Sequence, residues 1–443
     1  MVNIVYIHSH DTGRYVQPYG YSIPTPAIQR LAEEGTLFRK AFCANPTCSP
    51  SRASLLTGQW AHSCGMGGLV NRGWSLPHPD RLLPNFLRQH GYATVRAGIQ
   101  HVVTDPEEGG YSRILEGESG DWNTVARATS FLKEKHDQPF FLDVGFFATH
   151  RLGDGFSNSP KGQEPTNPNY VRPPTTLPDN STTRGDMGTY IDAARTLDDL
   201  VGTVIQSLDD RNLADNTLII CTTDHGIAFP RMKCNLTDHG VGVMMILRGP
   251  GGFTGGGVID GLVSHIDLFP TVCELTELPF PAWLQGVSLM PLVNGFDRVR
   301  SEIFSEINYH VCYEPQRAVR TERWKYILRL HDRAQPVLPD CDNGPSKSYL
   351  LENDWEFREE PKERLYDLVF DPNEARNIID CEEVAEELAH MRALMQKWRV
   401  ETDDPLITQK VFDPPPTAQV VDPNMRSGRD AKIVSARSFL GLE

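Results

Sequence analysis

Thr47-Cys48-Ser49-Pro50-Ser51-Arg52-Ala53-Ser54-Leu55-Leu56-Thr57-Gly58 joins a cysteine to a helix start, an arginine four residues on, and an apolar run closed by glycine. Ser49 or Ser51 can cap a helix beginning here, Pro50 suits its first turn, and the leading amides then point at whatever Cys48 carries or binds. Arg52 stands one helical turn beyond Cys48, so its guanidinium can share that face and offer paired donors to a tetrahedral oxyanion. In outline this is an anion-binding nucleophile site at a helix N-terminus.

Working outward, the flanking sequence supplies a sheet for that helix to stand on. Residues 3–8 are apolar and β-branched, and they end abruptly in Ser9-His10-Asp11-Thr12-Gly13. Thr25-Pro26 opens a helix with Ile28, Leu31 and Ala32 on one face, closed by Gly35. Beyond the Cys48 helix come a helix over 82–90, a strand over 93–98, and a strand over 139–146 that ends at Ala148-Thr149-His150-Arg151. A proline-, asparagine- and glycine-rich stretch between Arg151 and Asp186 reads as an ordered insertion at the mouth of the site. A long amphipathic helix carrying Tyr190, Ala194, Leu197, Val201, Val204 and Leu208 then feeds a strand over 217–221, which ends at Thr222-Thr223-Asp224-His225-Gly226. A further strand over 243–247 and a helix over 266–278 follow. Buried strands that deliver polar residues at their carboxyl ends mark the ligand-bearing edge of an open α/β sheet.

The expected architecture is therefore α/β: a large mixed, mostly parallel sheet flanked by helices over residues 1–300. A smaller α+β domain over 301–403 follows, with short strands over 303–307, 318–321 and 324–330, a turn at Asp371-Pro372-Asn373, and a helix over 382–400. Residues 404–443, with Pro414-Pro415-Pro416, lack a core pattern. They are expected to form an extended arm, either frayed or wrapped around a partner subunit, which favours a homodimer or higher homo-oligomer.

A chain of 443 residues with 39% hydrophobic and 23% charged content has ample core for this plan. Its net charge of −15 argues against a nucleic-acid partner, and no apolar run reaches membrane-spanning length. Met1-Val2 runs directly into the first strand, and nine cysteines without a CxxC pair favour free thiols in a reducing compartment, so a cytoplasmic location is expected. An acidic protein that handles an anion must concentrate positive charge locally. Asp11 and Asp224 are hard oxygen ligands, and His10 and His225 are adjacent nitrogen donors. Together with the Cys48 position they can share one divalent cation if the strand ends converge.

The twelve-residue string resembles the signature of the sulfatase family, Cys-x-Pro-x-Arg followed by a Leu-Thr-Gly helix, in the alkaline phosphatase superfamily. The likeness covers roughly residues 3–405 and looks nearest the sulfamidase branch, through Ser49 to Gly58, Gly226 to Pro230 and Trp398 to Pro405. It implies that a formylglycine-generating maturation enzyme oxidises Cys48, that the hydrated aldehyde attacks sulfur, and that His10, Asp11, Cys48, Asp224 and His225 surround the metal. Calcium is that family's usual ion; His10, standing where the family has aspartate, leaves manganese open. Gly91 to His101 is similar to a second signature, Gly-Tyr-x-Thr-x-x-x-Gly-Lys-x-His, with Ile99 in place of its lysine. By the same likeness His101 deprotonates the intermediate, His150 protonates the leaving group and Lys233 sits near the sulfate; His310, which follows an apolar strand at the start of the smaller domain, is expected from that place to overhang the pocket. The implied substrate is a small anionic sulfate ester, sulfamate or sulfated sugar. Phosphonate monoester or phosphodiester hydrolysis is the alternative on the same site, and an inactive anion-binding protein with unmodified Cys48 is a third.

Overall fold

The computed structural model describes residues 1–156, 162–429 and 431–442; residues 157–161 of the expected insertion lie outside them. In chain order the first strands are β1 (Asn3–Ser9), β2 (Thr36–Phe42), β3 (Ala93–Gly98), β4 (Arg113–Ile114) and β5 (Phe140–Gly145). A two-residue hairpin, β6 (Arg151–Leu152) and β7 (Gly155–Phe156), precedes β8 (Thr217–Thr223), β9 (Met245–Arg248) and β10 (Gly257–Ser264). Eight of these form one sheet in the order β10-β2-β9-β8-β1-β5-β3-β4. All its pairings are parallel except those of β9 with β2 and β8. This is the expected large mixed sheet.

Alternation along β1 explains why the sheet is covered on both faces. Ile4 and Tyr6 join one core with Phe141, Leu218 and Ile220, while Val5 and Ile7 join the opposite core with Leu142, Val144 and Ile219. Helix α1 (Pro26–Glu34) and the helices Asp121–Leu132 and Ser181–Asp210 pack on the second face, and α2 (Cys48–Thr57) packs Leu55 and Leu56 into the first. Three strands of this sheet went unanticipated: the two-residue β4, and β2 and β10. β2 interrupts its apolar pattern with Arg39 and Lys40, and β10 is exposed over half its length at the sheet edge. Neither shows the continuous apolar run of a central strand.

The smaller unit is an antiparallel sheet, β11 (Ile303–Tyr309), β12 (Tyr313–Arg320), β13 (Trp324–Arg329) and β14 (Glu363–Asp367), against which the helix Ala385–Glu401 lays Leu388, Met391, Met395 and Trp398. Much of the C-terminal segment packs on its own chain instead of fraying. β15 (Gln419–Val420) and β16 (Val434–Ser435) pair, and Phe412, Ala418, Val420 and Ala436 are buried in this chain's own main core. The arm's anchors are single residues rather than a periodic face: Phe412 packs against Trp74 and Tyr309, and Thr417 Oγ1 donates to the Gly73 carbonyl.

Candidate active site

Helix α2 begins at Cys48 itself, earlier than a serine cap would place it. Thr47 is the N-cap residue, and its hydroxyl donates to Asn45 Oδ1 at 2.6 Å instead of capping the helix. Ser51 N–H is already taken by Thr47 C=O at 2.9 Å, so neither serine caps. Ser51 Oγ donates to the Asp224 carbonyl at 2.6 Å, and Ser49 Oγ accepts from Val70 N–H at 3.1 Å. The consequence is that Cys48 occupies the first helical position, where backbone N–H groups have no intrahelical partner and the helix dipole is positive.

The turns after β1 and β8 meet in front of that helix end. Asp11, in a left-handed conformation (φ +57°), donates its backbone N–H to Asp224 Oδ1 at 2.8 Å. His10 Nδ1 lies 2.9 Å from Asp11 Oδ1 and 3.2 Å from Asp224 Oδ2. His225 Nδ1–H donates to the Gly226 carbonyl at 3.0 Å, which leaves the Nε2 lone pair facing Cys48 Sγ and Asp11 Oδ1, each at 3.4 Å. One ligand atom each from His10, Asp11, Cys48 and Asp224 fits within 4.8 Å of the others. Such separations suit donors around one cation with bonds of about 2.0–2.6 Å, and a set of two carboxylates with imidazole fits a divalent ion. His10 is thus inside the cluster, and His225 flanks it.

Positive charge is supplied by Arg52 and Lys233. Arg52 Nη2 donates to Asp224 Oδ2 and to the Ser9 carbonyl, both at 2.9 Å. Lys233 Nζ lies 3.2 Å from Asp11 Oδ2 and 3.0 Å from Asp342 Oδ2. Burial alone would raise the Asp11 and Asp224 carboxyls. Lys233, His10 and His150 instead hold Asp11 well below the usual range, and His225, His10 and Arg52 do the same for Asp224. Burial would lower Lys233, but Asp11 and Asp342 keep it raised, so it stays charged. Burial pushes the unmodified Cys48 thiol well up, only partly offset by Lys233, so the bare cysteine is held as a thiol.

His150 Nδ1 sits 2.7 Å from Asp11 Oδ2, and its side chain is 22% exposed where its neighbours are sealed, making it the accessible edge of the cluster. His101, also left-handed (φ +56°), has one nitrogen within 4.8 Å of His10 and Cys48 ligand atoms; its Nδ1 has no hydrogen-bond partner among the described residues. Burial, then His10 and Arg52, lower His101 to about 3, so it is neutral at neutral pH. His310 is buried with Nδ1 3.5 Å from Asp340 Oδ1, and it acts on the Asp342 carboxyl electrostatically. It neighbours the loop that carries Asp340 and Asp342, and it is not among the four side chains whose ligand atoms converge.

Reading the sequence missed that loop and the floor beneath Arg52. Asp340 and Asp342 lie in a polar loop with no periodic signal. His8 and Asp143 lie inside strands that are otherwise apolar; a polar residue at an inward position of each of two adjacent buried strands was the available clue.

The sheet, the strand-end cluster and the helix-start nucleophile position together form a site suited to hydrolysis of a tetrahedral oxyanion ester. The sulfatase family profile matches residues 2–278, and the profile "N-sulphoglucosamine sulphohydrolase, C-terminal" matches residues 231–359. The chain belongs to the sulfatase family, whose members are sulfuric ester hydrolases. It is 28% identical to the N-sulphoglucosamine sulphohydrolase of Homo sapiens over 91% of both chains. Among solved structures, an enzyme complexed with its substrate D-glucosamine-2-N,6-O-disulfate superposes with a TM-score of 0.71 at 17% identity, covering 92% of this chain and 100% of that one. The phosphonate monoester hydrolase of Agrobacterium radiobacter shares the fold (TM-score 0.68, 17% identity, 91% and 96% covered).

Proposed function

We propose that this sulfatase hydrolyses a sulfate ester or sulfamate of a small sugar, with Cys48 matured to formylglycine and one divalent cation held by His10, Asp11, Asp224 and His225. The observation that carries the reading is the convergence of these four residues with Arg52 and Lys233 on the first residue of α2. The likeness to a sulphohydrolase of N-sulphoglucosamine over nearly the whole chain supports a sulfated amino sugar as substrate class.

A hydrated aldehyde at position 48 would supply the attacking hydroxyl, and a cation, calcium or manganese, held by His10, Asp11, Asp224 and His225 would neutralise oxyanion charge. The chain's own residues do the rest. Arg52 and Lys233 fix the oxyanion and stabilise the charge that grows on it. His150, held at Nδ1 by Asp11, delivers the Nε2 proton to the departing oxygen or nitrogen. His101 accepts the proton released as sulfate leaves. All nine cysteines are unpaired, which supports the proposal of a reducing, cytoplasmic setting, and fractionation of the tagged chain tests it. A homo-oligomer remains a proposal for light scattering, since the arm that suggested it packs on its own chain.

The test joins two measurements: intact mass of the Cys48 peptide after expression with a maturation enzyme, and product release from an aryl sulfate, glucosamine N-sulfate, phenylphosphonate and a phosphodiester. The expected result is an aldehyde at position 48 with sulfate release dominant. A persistent thiol, or faster phosphonate cleavage, overturns the reading.

A further inference from the structure

We propose that His8 is a positioning residue for Arg52: a neutral imidazole, braced by Asp143 and Tyr111, that orients the guanidinium without cancelling its charge. The proposal rests on the reading above only in that Arg52 serves the oxyanion at position 48.

Along β1, Ile4, Tyr6 and His8 occupy alternate positions on one face, so His8 is the polar member of an otherwise buried row, with its side chain 2% exposed. A buried imidazole must have both nitrogens satisfied. Arg52 Nη1 donates to His8 Nδ1, and since arginine has no acceptor, Nδ1 is the unprotonated nitrogen. Nε2 therefore carries the hydrogen and donates to Asp143 Oδ1 at 2.8 Å. The second Asp143 oxygen accepts the Tyr111 hydroxyl. The chain of bonds thus runs from Tyr111 through Asp143 and His8 to Arg52, and ends at Asp224.

Two further features make room for this relay and hold it flat. Tyr6 stacks on the His8 ring with centroids 4.6 Å apart and planes at 25°. Gly145, the register partner of His8 on β5, leaves the space: a Cβ there would lie 2.6 Å from His8 Cε1. Meanwhile Arg52 Nε has no hydrogen-bond partner among the described residues, although it is buried. A guanidinium fixed on both Nη groups, with its Nε–H still to spare, is prepared for an anion.

The chemistry of the spacer matters. Arg52 already carries one carboxylate directly, Asp224 Oδ2 at 2.9 Å, and a second placed on Nη1 would add a further negative charge at short range. Interposing a neutral ring keeps the Asp143 charge farther away while passing on its orienting hydrogen bond. The plainer account, a satisfied core histidine that only stabilises the fold, predicts that losing His8 costs the same whether or not Arg52 is present.

Two experiments decide between them. In ¹⁵N–¹H imidazole correlation spectra of the unaltered protein, His8 is expected as the Nε2–H tautomer; an Nδ1–H or doubly protonated ring overturns the proposal. In a double-mutant cycle, His8→Ala is expected to lower kcat by about 100-fold with KM within about threefold, but by less than about threefold when made on Arg52→Ala. Equal losses on both backgrounds overturn it. Should His8→Ala not fold, Tyr111→Phe and Asp143→Asn are read in the same cycle; kcat independent of both, or equally reduced without Arg52, also overturns it. An unaltered protein inactive on sulfate esters would sink the functional reading alone, because the tautomer measurement stands without activity.

Discussion

The floor and the roof of the active site are built on different principles. The floor comes from the carboxyl ends of central strands: Asp11 lies two residues past β1, and Asp224 is the first residue past β8. β1 pairs with β8 over seven register positions and with β5 over five, so the floor's separations are set by a ladder of parallel pairing. The roof, carrying Asp340 and Asp342, belongs to no strand. It is clasped by the arm, with Asn343 Nδ2 donating to Ser427 Oγ at 2.9 Å and Val421 N–H to the Val311 carbonyl at 2.9 Å. The lesson is a division of labour: reaction geometry is fixed by rigid central strands, whereas the cover over it depends on long-range contacts that can be loosened separately.

That contrast can be broken or sharpened in order of effect. The largest is Cys48→Ala, expected to lower hydrolysis by about 10⁴-fold or more while leaving the melting temperature close to that of the parent, because the floor does not need the thiol to hold together. A collapse of stability would erase the distinction between reaction centre and scaffold.

Next comes the joint between the smaller sheet and the start of the arm. Asp404 takes Arg317 Nη2 at 2.8 Å and Arg399 Nε at 2.7 Å, with Arg317 fully buried. Asp404→Asn is expected to cost about 3–5 kcal/mol in urea unfolding by stranding buried arginine charge. Burial alone would raise this carboxyl, but Arg317 and Arg399 hold it well below the usual range. For a carboxyl depressed in the folded state, the stabilisation is present above the unfolded value of about 4 and is lost as pH falls below it. Acid unfolding of the parent should show that loss, and the variant should not. Parallel acid curves would contradict it.

Phe412→Ala removes a buried ring that packs against Trp74 and Tyr309, at an expected cost of about 3 kcal/mol. Limited proteolysis should then cut the arm before the sheet; simultaneous loss of both would show that floor and cover are one cooperative unit. The smallest effect is Asp342→Asn, which weakens the roof's hold on Lys233. KM is expected to change about tenfold with kcat within about threefold. A dominant fall in kcat would move Asp342 from roof to floor.

Local sequence carried much of the floor. The Cys48 to Gly58 string, the strand ends at His10-Asp11 and Asp224-His225, and His150 were all visible because each lies where an apolar run stops. His8 and Asp143 were hidden inside such runs, β2 was hidden by the Arg39-Lys40 break in its apolar pattern, and β10 by the polarity of its edge position. The serine caps failed because the helix starts at Cys48, two residues before a Ser49 cap would start it and four before a Ser51 cap would. Thr47 carbonyl then takes the Ser51 amide, and both hydroxyls turn to tertiary partners.

By itself the sequence determined that this is a mostly parallel α/β protein with a helix-start cysteine and arginine and acidic strand ends, since period-two burial, turns and caps act over a few residues. Only the tertiary structure decided that His10 Nδ1 stands between the two carboxylates, that Lys233 joins floor to roof, and that the arm folds back on its own chain. Those are agreements between residues hundreds of positions apart, and no local periodicity encodes where two distant turns will meet.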